Sequence, residues 1–182
     1  MSYDRYHKKA DRIFRIVSYI QEPDKKSNWT ITQMPLAATL KKDFPEVEEA
    51  VRLMSRERTL FKNGDNNFYE TKIYYADSTF FSIFTHKFVE GNPASALNEP
   101  NSIVISKTLA EKYFGKNNPA VGKTLRTVYD VYVYDVYKVT GVIEDVPKNS
   151  HILFDMLISA STIKGNQGDG DWGSFNFLLT CC

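Results

Sequence analysis

The 182-residue chain is 42% hydrophobic and 14% aromatic, enough apolar material for one folded core or two small lobes sharing one. Its 23 Lys and Arg nearly balance 22 Asp and Glu, for a net charge of +1, which excludes overall charge as a means of holding nucleic acid or an anionic membrane surface. No apolar run reaches the roughly 18 residues of a membrane-spanning helix, and no signal-peptide pattern, repeat or low-complexity tract is found.

Residues 1–10 read as a short polar helix with Tyr3, Tyr6 and His7 on one face. Residues 13–20 alternate with period two, which predicts one strand whose Phe14, Ile16, Ser18 and Ile20 face is the more apolar. A charged loop follows over 21–28. Asn28-Trp29-Thr30 fits the glycosylation acceptor pattern, which is short enough to arise by chance. Pro35 opens a helix at its first turn, with Leu36, Thr39, Leu40 and Phe44 inward, and Pro45 stops it. Residues 47–54 make a strand with Val51 and Leu53 on one side. Strand, helix, strand in this order predicts a split β-α-β unit.

Asn63-Gly64-Asp65-Asn66, flanked by alternating apolar residues, predicts a β-hairpin with its second arm over 67–76. In the next segment Asp77 or Ser78 is the expected N-cap of a short helix anchored by Phe80, Phe81 and Phe84. Residues 87–90 form a short strand, and Gly91-Asn92-Pro93 turns the chain. Ser102 to Ile105 has the β-branched content of a strand. Ser106 stands where a helix cap belongs, Leu109, Ala110, Tyr113 and Phe114 share a helical face, and Gly115 fits the stop. Residues 121–125 restart as a strand, and 126–144 stay extended as a hairpin or two paired strands. Tyr129, Tyr132, Tyr134 and Tyr137 crowd that stretch. Gly141 permits a bulge or a close backbone approach. Residues 163–173 are rich in Gly and Asp and read as a loop tethered by Trp172.

The candidate chemistry is thin. Gly122-Lys123-Thr124 looks like the end of a phosphate-binding loop, but that motif needs glycine where Asn117 stands, and here the loop leads into a strand. His151 and Asp155 are the pair from which a hydrolase would be built, with Ser159 or Ser102 as nucleophile; the simpler expectation is a structural hydrogen bond between them. His7 and His86 have no metal-ligand spacing, and the Gly/Asp loop fails the calcium-loop pattern at Gly173. The adjacent Cys181 and Cys182 are poorly placed to bridge each other; the absence of other thiols fits an oxidising compartment. No catalytic, cofactor or metal residue is assigned. The tyrosines of 129–137 are the basis of an alternative reading as a peptide- or carbohydrate-binding module, against plain sheet packing.

Segments 2–17, 34–53, 74–106, 101–125 and 137–159 together resemble the extracytoplasmic core domain of MacB-type ABC transporter permeases, the branch that includes FtsX-like permeases. They carry SYDRYHKKADRIFRIV, MPLAATLKKDFPEVEEAVRL, the YYADSTFFSIFT and GNPASALNEPNSIVIS run, and YKVTGVIEDVPKNSHILFDMLIS in the family's order, over roughly residues 2–172. The ending FNFLLTCC departs from the family, where a further helix and strand are expected. The resemblance implies an α+β fold of two lobes, a split β-α-β porter-like lobe and a mixed sabre-like lobe. It implies a stalk from a transmembrane segment over 1–10, a porter-like lobe over 11–76, a sabre-like lobe over 77–148, and a return to the porter-like lobe over 149–182. The implied function is non-catalytic coupling of ATP-driven motion to export or extraction of a substrate, outside the cell membrane. The implied partners are a separate ATP-binding subunit, a second permease copy or paralogue, and a periplasmic adaptor protein, with no nucleic acid and no cofactor.

Overall fold

The computed structural model describes residues 4–128, 135–163 and 175–182. Residues 4–9 run in turns, with Asp4 at a positive φ of 58°, and end in a 3-10 turn, Ala10–Arg12. The helix expected over 1–10 is therefore not formed by its described residues. Their backbone bonds are single turn closures, His7 N–H to Asp4 O and Ala10 N–H to His7 O. The strand expected over 13–20 is divided at Val17 into β1 (Phe14–Ile16) and β2 (Ser18–Gln21). Its expected face holds at Ile16, Ser18 and Ile20, which are half-buried while Arg15, Val17 and Tyr19 are exposed, but not at Phe14, which is 62% exposed while Ile13 packs against the core. Two edges of pairing explain the break. β1 pairs into the main sheet, and β2 pairs only with β3 (Lys26–Trp29) as a separate ribbon.

After β4 (Thr32–Gln33) comes α1 (Leu36–Asp43), entered by Pro35 as expected. Leu36 and Leu40 pack inward around buried Ala37, but Phe44 has already left the helix and is 52% exposed. β5 (Ala50–Arg56) buries Val51 and Leu53 completely. β6 (Thr59–Asn63) and β7 (Asn66–Glu70) are the predicted hairpin, turned at Gly64 with φ 57°. The second arm stops there; β8 (Ile73–Ala76) leaves it to pair with β5. α2 (Phe80–Ile83) is capped by neither Asp77 nor Ser78. Its N-cap is Thr79, with no side-chain cap, because the Thr79 hydroxyl donates to Ala50 O at 2.7 Å. Asp77 is taken by Arg52, which binds its carboxylate through Nε and Nη2, both at 2.9 Å, and through its backbone N–H at 2.8 Å.

β9 (Phe88–Gly91) and β10 (Ser102–Ser106) follow, and β10 is buried at every residue. Ser106 caps α3 (Lys107–Phe114), its hydroxyl accepting the Leu109 N–H at 3.2 Å, and Gly115 ends the helix at φ 87°. β11 (Thr124–Thr127) and β12 (Val136–Ile143) are paired antiparallel, as the extended stretch predicted. β13 (Met156–Ser159) and β14 (Phe175–Cys181) complete the set.

Among the described residues the main sheet runs β1-β14-β5-β8-β13-β10-β12-β11-β6-β7, with β4 also on β14 and β9 also on β12. β1 and β5 are both antiparallel to β14. They are therefore parallel to each other, with α1 in the crossover and β14 between them, which is the split β-α-β unit. The period-two rule then sorts the core into two faces. Ile103, Ile105, Met156 and Ile158 meet α3 through Leu109 and Tyr113. Val104 and Leu157 meet α2 through Phe80 and Ile83 on the other face. α1 covers a smaller cluster of Ala37, Ala50, Leu179 and Cys181. Full burial of each such side chain is worth about 1.5–3 kcal/mol, so truncations in β10 and β13, each buried at every residue, are costly.

Gly141 does what was expected of it. The β10–β12 register slips between Ile103 and Val104, leaving Thr140 as the extra residue. The Thr140 hydroxyl lies 2.6 Å from Ala96 O and 3.0 Å from Ile103 O, and with one proton it donates to one at a time. The fold is α+β, rich in strands with few helices.

Candidate functional site

The N-terminal segment folds back onto the body and is bolted to three distant parts of the chain. The turn conformation at residues 4–9 makes this possible, since a helix would direct Asp4 and His7 along one line. Asp4 reaches the loop before β13. Its Oδ1 accepts the Ser150 hydroxyl at 2.9 Å and the His151 N–H at 3.2 Å, and its Oδ2 lies 2.5 Å from His151 Nδ1. Tyr6 adds its hydroxyl to Ser150 Oγ at 3.1 Å. His7 reaches the loop after α2: its Nδ1 accepts the Thr85 N–H at 3.0 Å, and the Lys8 N–H donates to Thr85 Oγ1 at 3.0 Å. Accepting at Nδ1 places the proton of the neutral ring on Nε2. Lys9 and Arg12 both bind the Glu48 carboxylate in front of β5, and Lys9 Nζ lies 3.7 Å from Cys182 Sγ.

Apolar packing backs these polar contacts. His7 is 5% exposed. Its ring lies 5.1 Å from that of Phe84 and 5.7 Å from that of His86. His86 stacks on Phe80 at 5.6 Å and meets the edge of Phe154 at 5.3 Å. The chain has three histidines, His7, His86 and His151, and all converge on this junction. Burial drives the His86 pKa down to about 4, helped by the neighbouring His7. Burial also lowers His7, against the opposing pull of Asp4. For Asp4 burial alone would raise the pKa, and the hydrogen bonds from His151 and Ser150 outweigh it, leaving the carboxyl below its usual value. Beside the junction lies a cleft of about 500 Å³ bordered by Arg5, Arg15, Tyr74, Ile152 and Leu178.

The residues of a would-be hydrolase are dispersed among different partners. His151 binds Asp4, whereas Asp155 faces Lys72 at 3.7 Å, so the expected His151–Asp155 hydrogen bond is corrected. The Ser159 hydroxyl donates to Leu97 O at 2.8 Å, and Ser102 is buried in β10. Tyr137 is 1% exposed, with its hydroxyl accepting from Arg56 Nη1 at 2.8 Å. Tyr129, Tyr132, Tyr134 and the loop of Trp172 lie outside the described residues. Cys181 and Cys182 are buried free thiols, and burial raises the Cys181 pKa. Among the described residues no three His, Cys, Asp or Glu side chains are grouped to hold a metal ion. Among them also, no helix is long and apolar enough to cross a membrane.

Asp4 was missed by sequence reasoning because its partners are remote, Ser150 lying 146 positions away. The one usable signal was the joint occurrence of polar histidines beside Phe84 and before Phe154, which marks the two loops but not what binds them.

The end-to-end comparison agrees with this architecture. The family model of the MacB-like periplasmic core domain matches residues 2–180. A domain of a permease protein from Porphyromonas gingivalis superposes with a TM-score of 0.80 at 23% identity, over 96% of this chain and 76% of that one. The periplasmic region of MacB from Actinobacillus actinomycetemcomitans gives 0.59 at 18% identity, and the chain spans 64% of its length with 82% of its own. The extracellular domain of the noncanonic ABC-type transporter YknZ from Gram-positive bacteria gives 0.65 at 16% identity, over 94% of this chain and 83% of that one. Comparison with curated proteins gave no match. The fold and a family match over nearly the whole chain agree, and the chain belongs to the MacB-like periplasmic core domain family, the extracytoplasmic domain of MacB-like ABC transporter permeases.

Proposed function

We propose that this domain is a non-catalytic transmission element that couples ATP-driven motion of the membrane part of a permease to export or extraction of a substrate. The observation that carries the reading is the junction: one short segment, residues 4–12, is clamped to loops 84–86 and 150–152 and to Glu48. The register Phe14↔Cys181 supports it, because the start of antiparallel β1 and the end of β14 lie side by side at one end of the sheet. A pull on either strand is then shared through β14 with the β5–β8–β13 core. In this reading residues 1–10 are the stalk, 11–76 and 149–182 the porter-like lobe, and 77–148 the sabre-like lobe. The junction lies where all three meet. The separate ATP-binding subunit supplies the motion, and a second permease copy or paralogue and an adaptor protein receive it.

Hydrogen–deuterium exchange on the parent permease with its ATPase subunit tests this. Exchange in 4–12, 84–86 and 150–152 is expected to differ between the nucleotide-free and the ATP-bound, hydrolysis-trapped complex. Identical exchange in both states would overturn the transmission role.

A further inference from the structure

Among the described residues, the β11–β6–β7 end of the sheet is covered on one face only. Leu125, Tyr137 and Phe61 point into the core under α3. The residues between them point the other way and share one outward face, since directly paired residues lie on the same side. The ladders place Lys62 opposite Arg126 and Thr124 opposite Lys138. Two cations directly opposite each other in an antiparallel pair are destabilising. Among the described residues no ion pair offsets them: Lys62, Arg126, Lys138 and Arg58 all lack a carboxylate within salt-bridge distance. A shallow depression lined by Lys62, Asn63, Gly64, Thr124 and Arg126 opens between them. Apolar groups are interleaved with the charges. Tyr69 is 55% exposed with the Arg58 guanidinium 4.1 Å over its ring, and Val136 is 43% exposed. Beyond Tyr69, β7 is the last strand of the sheet, with one backbone edge unpaired among the described residues.

We propose that this face docks an acidic, extended segment of a partner polypeptide. Its carboxylates would neutralise the Lys62–Arg126 pair and Lys138, and its apolar side chains would lie on Tyr69 and Val136. Charge complementarity selects the sign of the occupant. The interleaved apolar groups and the open β7 edge select a polypeptide over a lipid headgroup layer, which would use the charges alone. The surface lies away from the N-terminal junction, and its role does not depend on transmission.

The test is fluorescence anisotropy of the 182-residue chain with a labelled Glu-Thr-Glu-Val repeat peptide, in parallel with sedimentation on vesicles of phosphatidylglycerol and phosphatidylcholine. The expected result is peptide binding that weakens as salt rises and falls about tenfold or more in the Lys62→Gln/Arg126→Gln double variant. The Lys107→Gln/Lys116→Gln variant, on the α3 side, should bind like the unmodified chain. The Lys62→Gln/Arg126→Gln variant should melt no lower than the unmodified chain, since it removes a repulsion. Equal binding by both double variants overturns the proposal. So does vesicle binding without peptide binding, which would assign the face to anionic lipid.

Discussion

Asp4 Oδ2 and His151 Nδ1 stand 2.5 Å apart across 147 positions of chain, and with the Ser150 hydroxyl they hold the N-terminal segment to the loop in front of β13. Replacing Asp4 by Asn removes the charge that strengthens these bonds. The expected cost is about 1 kcal/mol for a half-exposed site, read as a lower midpoint in urea. Because the folded-state pKa of Asp4 is lowered, its contribution is complete above the usual carboxylate value of 3.8 and is lost as pH falls through the lowered value. Asp4→Asn should therefore match the unmodified chain in strong acid and differ from it near neutrality.

The buried imidazoles respond at higher pH. His86 has a folded pKa of about 4 against an ordinary 6.5, so the unfolded chain takes up its proton first. Stability is full above about pH 6.5 and falls from there toward pH 4, with a slope from this group of no more than about 1.4 kcal/mol per pH unit. His86→Phe keeps the stacking on Phe80 and removes the titration. Its melting temperature should be less dependent on pH between 6.5 and 4, and an unchanged pH profile would contradict the burial argument.

Asp77 is a test of two local readings. As partner of Arg52 it accepts three hydrogen bonds between β5 and the start of α2, at a site where both side chains are 19% exposed. Asp77→Ala should cost about 2–3 kcal/mol. Asp77→Ser, which would restore a helix cap, should recover little of it, since the hydroxyl cannot span the guanidinium. Full recovery with Ser would return Asp77 to the capping role.

Two glycines should respond very differently to alanine. A Cβ on Gly91 would lie 2.3 Å from Thr140 O and 2.9 Å from Gly141 Cα, at a φ of 88°. The β9–β12 pairing would have to open, at about 3 kcal/mol or more. A Cβ on Gly64 meets nothing within 4 Å, and only its positive φ of 57° is penalised. About 1 kcal/mol is expected there. Denaturant unfolding of both variants measures the contrast.

The sequence by itself determined the features whose causes are local. Ser106 and Gly115 bound α3 because a cap and a left-handed stop act within a turn of the helix. Asn63-Gly64 turns the β6–β7 hairpin, and Gly141 lies at the bulge, for equally short-range reasons. The ordered family motifs were also readable, and they carried the fold class. Only the tertiary structure decided that residues 13–20 divide at Val17, because β1 and β2 join different sheets. It decided that Asp77 serves Arg52 rather than a helix end, an exchange made across 25 residues. It decided that His151 binds Asp4 and not its near neighbour Asp155. Each of these outcomes is a competition between a weak local bond and a stronger remote one, and the remote partner exists only once the sheet has closed.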